Sequence, residues 1–260
     1  MIMRNALSGN AYLKTIILFI VFGLLPLTLV SQVVNFIDLK EIPQKKVRKF
    51  IKSGAFDKMH DFSLIHSSWK KDAIESDFRI IEKTFNLKVG HSIVWNTYRH
   101  ANSMEMWNSR SVKLGLLISK RTNTVTYNNN DFSPEIDTGQ VYFLRLRLLK
   151  GLLNLPVAFE IIKINHEEEI IEFSYLEKNK SKGKQTIHFI DVGNGVTNIV
   201  HKTYFKSGSM LRDDLYPFFH KRFIKEFHRN MNRRMNLPPQ PRDIVLFCPI
   251  VSPPTPLKGG

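Results

Sequence analysis

The sequence predicts an α+β domain: a curved antiparallel sheet wrapped on a long C-terminal helix. Three observations predict it. Segments between residues 140 and 205 alternate in side-chain character with a period of two, the mark of strands with one buried face. Turn signals separate them at Asn165-His166-Glu167, Asn179 to Gly183 and Gly193-Asn194-Gly195, so consecutive strands pair as hairpins. Leu211 to Met235 then repeats Leu215, Phe219, Phe223, Phe227 and Met231 at four-residue steps, with Ile224 widening the stripe.

The elements follow in order. Phe78 to Leu87 reads as a strand, and His91 to Trp107 as helical. Ser111 to Ser119 is an apolar strand with one glycine, and Asn123 to Asp131 a Thr/Asn-rich strand running into a turn. Strands are expected at Gln140–Arg147, Pro156–Ile164, Ile170–Leu176, Lys184–Ile190 and Val196–Phe205. In the last, Thr197, Ile199, His201, Thr203 and Phe205 share one face. In the final helix, Asp213 and Asp214 sit where the helix dipole favours acids. Pro217 suits a first turn, which puts the regular helix start near Tyr216.

Both ends read differently from this middle. Arg4 and Lys14 precede the run TIILFIVFGLLPLTLV at 15–30, and Ser31 follows, the layout of a signal peptide at 1–31. The run is short of the ~20 apolar residues of a membrane span. Leu29 at the −3 position suits cleavage poorly, so an uncleaved anchor at 15–30 is the alternative. Either way the domain is expected outside the cytoplasm, secreted, periplasmic or anchored. Residues 32–76 form an N-terminal extension. Pro43 starts a short amphipathic helix there, with Val47, Phe50 and Ile51 on one side and Lys45, Lys46, Arg48, Lys49 and Lys52 on the other. That helix is expected to pack on the domain, with membrane-surface contact as its functional reading. The Pro-rich tail at 237–260 is expected to be disordered.

Composition narrows the function classes. Phe occurs 19 times, enough for a large aromatic interior. Cys248 is the only cysteine, which excludes an intrachain disulfide, a CxxC centre and a cysteine metal site. The net charge of +15 is spread over Lys45 to Lys52, Lys178 to Lys184 and Arg212 to Arg234. A solvated basic surface accounts for that spread first, an anionic membrane surface second, and nucleic acid is not expected.

The order of elements, with FRIIEKTFNLKVGHSIVWNTYRHANSMEMW at 78–107 and GVTNIVHKTYFKSG at 195–208 before the helix, resembles the START-like superfamily. This group is also called SRPBCC or Bet v 1-like, and its fold is the helix-grip. The resemblance covers residues 77–236. It implies a cavity between sheet and helix for a hydrophobic small molecule or lipid. Pocket candidates on that model are Phe159, Phe173, Tyr175, His201, Phe219, Phe223 and Phe227.

No catalytic or metal-binding residue is assigned, and no cofactor is expected. GxSxG, Walker, GxGxxG and HExxH patterns are absent. His220 and His228 lie eight apart on one helix, and His188 and His201 on adjacent strands are candidate neighbours. Trp69, Trp95 and Trp107 read as core. The leading function is extracytoplasmic binding or carriage of a hydrophobic molecule. A cyclase- or hydrolase-like enzyme in the same cavity is the first alternative, with His201 and Tyr175 or Glu172 as a proton relay. A membrane-surface interaction protein is the second.

Overall fold

A computed structural model describes residues 36–128 and 135–236. The expected export segment and Pro-rich tail, and the turn beyond residue 128, lie outside the described residues. Eight strands form one antiparallel sheet in the order β1-β8-β7-β6-β5-β4-β2-β3. The strands are β1 (Arg79–Leu87), β2 (Val112–Ser119), β3 (Thr124–Tyr127), β4 (Gln140–Leu148), β5 (Leu153–Asn165), β6 (Ile170–Tyr175), β7 (Lys182–Gly193) and β8 (Val196–Lys206). Strands β4 to β8 form a meander, and the first strand closes it by pairing with the last, Lys83 opposite His201.

Four helices join the sheet: α1 (Lys45–Ser53), α2 (His91–Arg99), α3 (Ser103–Met106) and α4 (Met210–Met235). The expected single helical stretch at 91–107 is thus two helices. Asn102 breaks it by accepting the Met104 amide in its own side chain, a fresh N-cap. The register slips at Leu114/Leu116, Ile161/Lys163 and Asp191/Gly193. Such bulges bend and twist a sheet locally, which lets it wrap a helix.

The C-terminal helix starts earlier than Pro217 suggested, at Met210. Pro217 lies inside it, where its missing N–H removes one bond to the carbonyl of Asp213 without ending the helix. The stripe is also displaced. Leu215 is half exposed, and the face turned to the sheet carries His220, Ile224, Phe227, His228 and Met231, with Tyr216 and Phe223 beside them. The reason is geometric. A strict four-residue repeat turns about 40° per step relative to a 3.6-residue helix, so it cannot hold one face over five residues.

Each face of the sheet has its own core. On the inner face, Leu144, Phe159, Phe173, Ile187 and Ile199 pack with α2 and α4. On the outer face, Leu116, Ile118, Val141, Phe143 and Ala158 are covered by the segment from Ile37 to Ile65. Val47 and Ile51 of α1 are fully buried there, each worth ~1.5–3 kcal/mol relative to exposure. Gly115 makes the close approach feasible, because a Cβ there would come within 2.9 Å of Val47 Cγ1. Gln44 adds a hydrogen bond, its Nε2 donating to the Leu114 carbonyl at 3.0 Å. The apolar side of α1 is therefore occupied by the sheet, and its lysines face solvent.

Candidate functional site

Inward alternation along β5 to β8 brings Phe159, Phe173, Tyr175, Gln185, Ile187 and His201 to one patch beneath α4. Helix α4 closes it with His220, Phe223, Ile224 and Phe227, and Trp107 with Leu144 and Leu146 forms the side wall. They line a partly open cavity of about 70 Å³. That is room for roughly five waters, or ~150 Å³ of liquid volume, which a single six-membered ring fills. Aromatic contacts set the wall. Trp107 stacks on Phe227 at 4.7 Å, and Phe159 meets Trp107 and Phe173 edge-on at 5.0 and 5.3 Å.

Six of the seven pocket candidates, Phe159, Phe173, Tyr175, His201, Phe223 and Phe227, line this cavity. Phe219 does not. It lies off the inward face and packs against exposed Phe218 at 5.2 Å, the consequence of the winding stripe. Trp95 is core and Trp107 is cavity wall. Trp69 covers the outer face, against Phe78 and Tyr204.

One wall of the cavity is polar, and its groups, Tyr175, Gln185, His201 and His220, belong to a continuous hydrogen-bonded chain that extends behind it. It runs Tyr98, His228, His201, Gln185, Tyr175, Tyr216, His220, Thr203. The Gln185 amide sets its direction. Its Nε2 donates to Tyr175 Oη at 2.9 Å, so its Oε1 accepts from His201 Nε2–H at 2.9 Å. His201 Nδ1 is then an acceptor and takes the His228 Nε2–H at 2.8 Å, and Tyr98 Oη–H donates to His228 Nδ1 at 2.7 Å. In the other direction Tyr175 and Tyr216 share a hydrogen bond between their hydroxyls at 2.5 Å, and Tyr216 Oη pairs with His220 Nδ1 at 3.3 Å. His220 Nε2 and Thr203 Oγ1, hydrogen-bonded at 2.8 Å, end the run. Three imidazoles, three phenols, an amide and a hydroxyl satisfy one another with no formal charge.

Burial enforces that neutrality. It pulls His220 and His228 down to about 3, with Lys83 adding to the effect at His228. Burial, helped by His228 and His220, holds His201 well below the ordinary imidazole value. Tyr175 is pushed up to about 12, and Tyr98 and Tyr216 rise well above the usual phenol range for the same reason. The cavity wall contains no lysine, arginine, aspartate or glutamate. The Trp107 Nε1–H is buried, out of reach of a water-sized group, and without a hydrogen-bond partner among the described residues.

Two expected pairings are corrected. His188 pairs with Val200 on the outer face, whereas His201 pairs with Ile187 on the inner one, so the two histidines point to opposite sides. A step of one residue along a strand suffices for that. Glu172 likewise faces outward, toward Lys184 at 3.5 Å, and takes no part in the chain. Tyr175 does reach His201, through Gln185. Tyr98, Gln185, Thr203 and Tyr216 were not candidates. Tyr216, His220 and His228 carried the available signal, since they share a helix face at four- and eight-residue spacing. Among the described residues, no group of three or more His, Cys, Asp or Glu is arranged to hold a metal ion.

No protein-family model matches the chain, and no curated protein matches it. Solved structures do. Norcoclaurine synthase from Thalictrum flavum, in complex with dopamine and hydroxybenzaldehyde, is 11% identical over 66% of this chain and 97% of its own, with a TM-score of 0.46. Major latex-like protein 151 from Panax ginseng is 11% identical over 62% and 98%, with a TM-score of 0.45. KanY protein is 9% identical over 62% and 99%, with a TM-score of 0.43. The order of a strand, two short helices, seven strands and a long helix seated on the sheet is the helix-grip fold of START-like, Bet v 1-like proteins, and the chain is similar to them in that fold.

Proposed function

We propose that the domain binds a small hydrophobic molecule between α4 and the sheet. The observation that carries this is an aromatic-walled cavity with a single polar wall, the usual composition of a small-molecule site. Its size favours a compact, one-ring ligand. A lipid tail requires α4 to shift off the sheet. Native mass spectrometry of the full chain, purified from its own host and released by denaturation, tests the reading. A co-purifying mass of one small organic molecule supports it. A bare chain that also fails to bind ring compounds on titration refutes it.

Carriage is favoured over the enzyme alternative by the hydrogen-bonded chain itself. A general base needs a free lone pair facing the substrate, and every ring nitrogen of His201, His220 and His228 is engaged within the chain.

We propose an extracytoplasmic setting, supported by the apolar run at 15–30 behind Arg4 and Lys14. N-terminal sequencing of the mature protein distinguishes cleavage near Ser31 from a retained anchor, and a purely cytoplasmic pool refutes both. A second reading, contact with an anionic membrane, draws on the turn between β4 and β5, where Leu152 is 90% exposed and Leu149 54%. The +15 net charge favours the same surface. Co-sedimentation with phosphatidylserine vesicles that fades at high salt supports it, and salt-independent absence of binding refutes it.

A further inference from the structure

The cavity is walled by a protein of +15 net charge, yet no charged side chain reaches it. Lys83 is the cation that acts on the buried chain, through His228. Lys83 of β1 sits over Phe85, with Lys221 and Lys225 of α4 close enough to lower its affinity for a proton after desolvation has done so. From α2 the buried chain meets only the Tyr98 phenol, from β6 and β7 only Tyr175 and Gln185. No acidic group contacts it among the described residues.

Hydrogen-bonding capacity is nonetheless left over. With one amide hydrogen on Tyr175 and one lone pair on His201, Gln185 keeps a second hydrogen and a second lone pair. A buried donor left unpaired is costly, so a ligand oxygen that accepts it gains more than the same contact at a surface. A carboxylate or phosphate offers such oxygens but brings an anion into a site with no cation to pair it, and an isolated buried charge is strongly disfavoured.

We infer that the cavity selects an uncharged ring compound bearing one hydroxyl or carbonyl oxygen, bonded by the Gln185 amide, and rejects the matching carboxylate. The inference rests on the proposal that the cavity binds a small hydrophobic molecule, and it names the class.

Titration of the full chain with toluene, p-cresol and p-toluate between pH 6 and pH 8 tests it, read by calorimetry. Binding of p-cresol is expected to be about 5- to 10-fold tighter than that of toluene, the worth of one hydrogen bond. At pH 7 p-toluate is expected to bind at least ~100-fold more weakly than p-cresol, improving about tenfold per pH unit on acidification because only the neutral acid enters. Gln185→Leu is expected to erase the preference for p-cresol over toluene. Equal binding of p-toluate and p-cresol at pH 7, or equal binding of toluene and p-cresol, overturns the inference while leaving the cavity reading intact. If none of the three binds, the cavity reading itself fails. The three-ligand comparison is made within one folded protein, so it stands whether or not the Gln185 variant folds.

Discussion

Acid should unfold this domain at a pH where most proteins are still at full stability. His220 and His228 fall from an ordinary 6.5 to about 3 in the folded state because burial excludes their charged forms. Below pH 6.5 the unfolded chain therefore binds protons that the folded chain does not. The sign follows: stability is complete above 6.5, declines as pH falls, and stops declining near 3, where the folded imidazoles titrate as well. The slope is roughly 1.4 kcal/mol per pH unit for each imidazole. From pH 7 to pH 5 each loses about 2 kcal/mol, together ~4 kcal/mol, and His201 is displaced in the same direction. That is a large part of the ~5–15 kcal/mol that holds a typical domain. Urea unfolding followed by circular dichroism at half-unit pH steps from 7.5 to 5 measures it directly. A His228→Phe variant, lower in absolute stability, should show a slope smaller by about one proton. A free energy of unfolding that stays flat between pH 7 and pH 5 refutes the claim that the imidazoles are buried and neutral.

Further outcomes separate the structural assignments. Phe227→Ala is expected to cost ~3–5 kcal/mol, because Phe227 is 4% exposed and stacked on Trp107, whereas Phe219→Ala is expected to cost under ~1 kcal/mol; similar losses in thermal melts count against the inward face drawn for α4. Gly183→Ala should destabilise by more than ~2 kcal/mol, since φ is +126° and a Cβ would stand 1.9 Å from the Tyr204 carbonyl oxygen. Gly193→Ala, at φ +84° with open space, should cost about 1 kcal/mol, and the reverse ranking in urea unfolding counts against the β7–β8 register. Val47→Asp should cost ~3 kcal/mol or more and expose the outer sheet face to dye binding; an unchanged melting temperature shows that α1 does not pack there.

Most of the fold was legible because strand periodicity survives in isolation. The inward set Ile199, His201, Thr203, Phe205 could be read from alternation alone, and the turns at Asn165 and Gly193 fixed the hairpins. The helix was harder. Apolarity alone selects Leu215 and Phe219 and passes over Tyr216 and His220, although these two stack at 4.9 Å on the side turned to the sheet. Polar aromatic residues give no hydropathy signal, and their burial depends on partners more than a hundred residues away, as Tyr98 is from His228. The early start of α4 was hidden by Pro217, whose local preference is overridden by the turns on either side of it. The two-sided burial of the sheet was half visible. The amphipathic character of α1 predicted packing, and the receiving strands carry unbroken apolar runs, Leu116-Leu117-Ile118 and Val141 to Leu144, as strands covered on both faces do.

The hydrogen-bonded chain has a mechanical consequence for α4. A helix held by an oily stripe alone can slide or roll by a fraction of a turn at modest cost, because one apolar neighbour serves nearly as well as another. This helix is keyed: Tyr216, His220 and His228 each meet a fixed polar tooth on β6, β8 or α2, and any slip leaves several of them unmatched in a dry interior. The cavity beneath it thereby has one shape instead of a range of shapes, and its width is set by the lengths of the side chains in the lock.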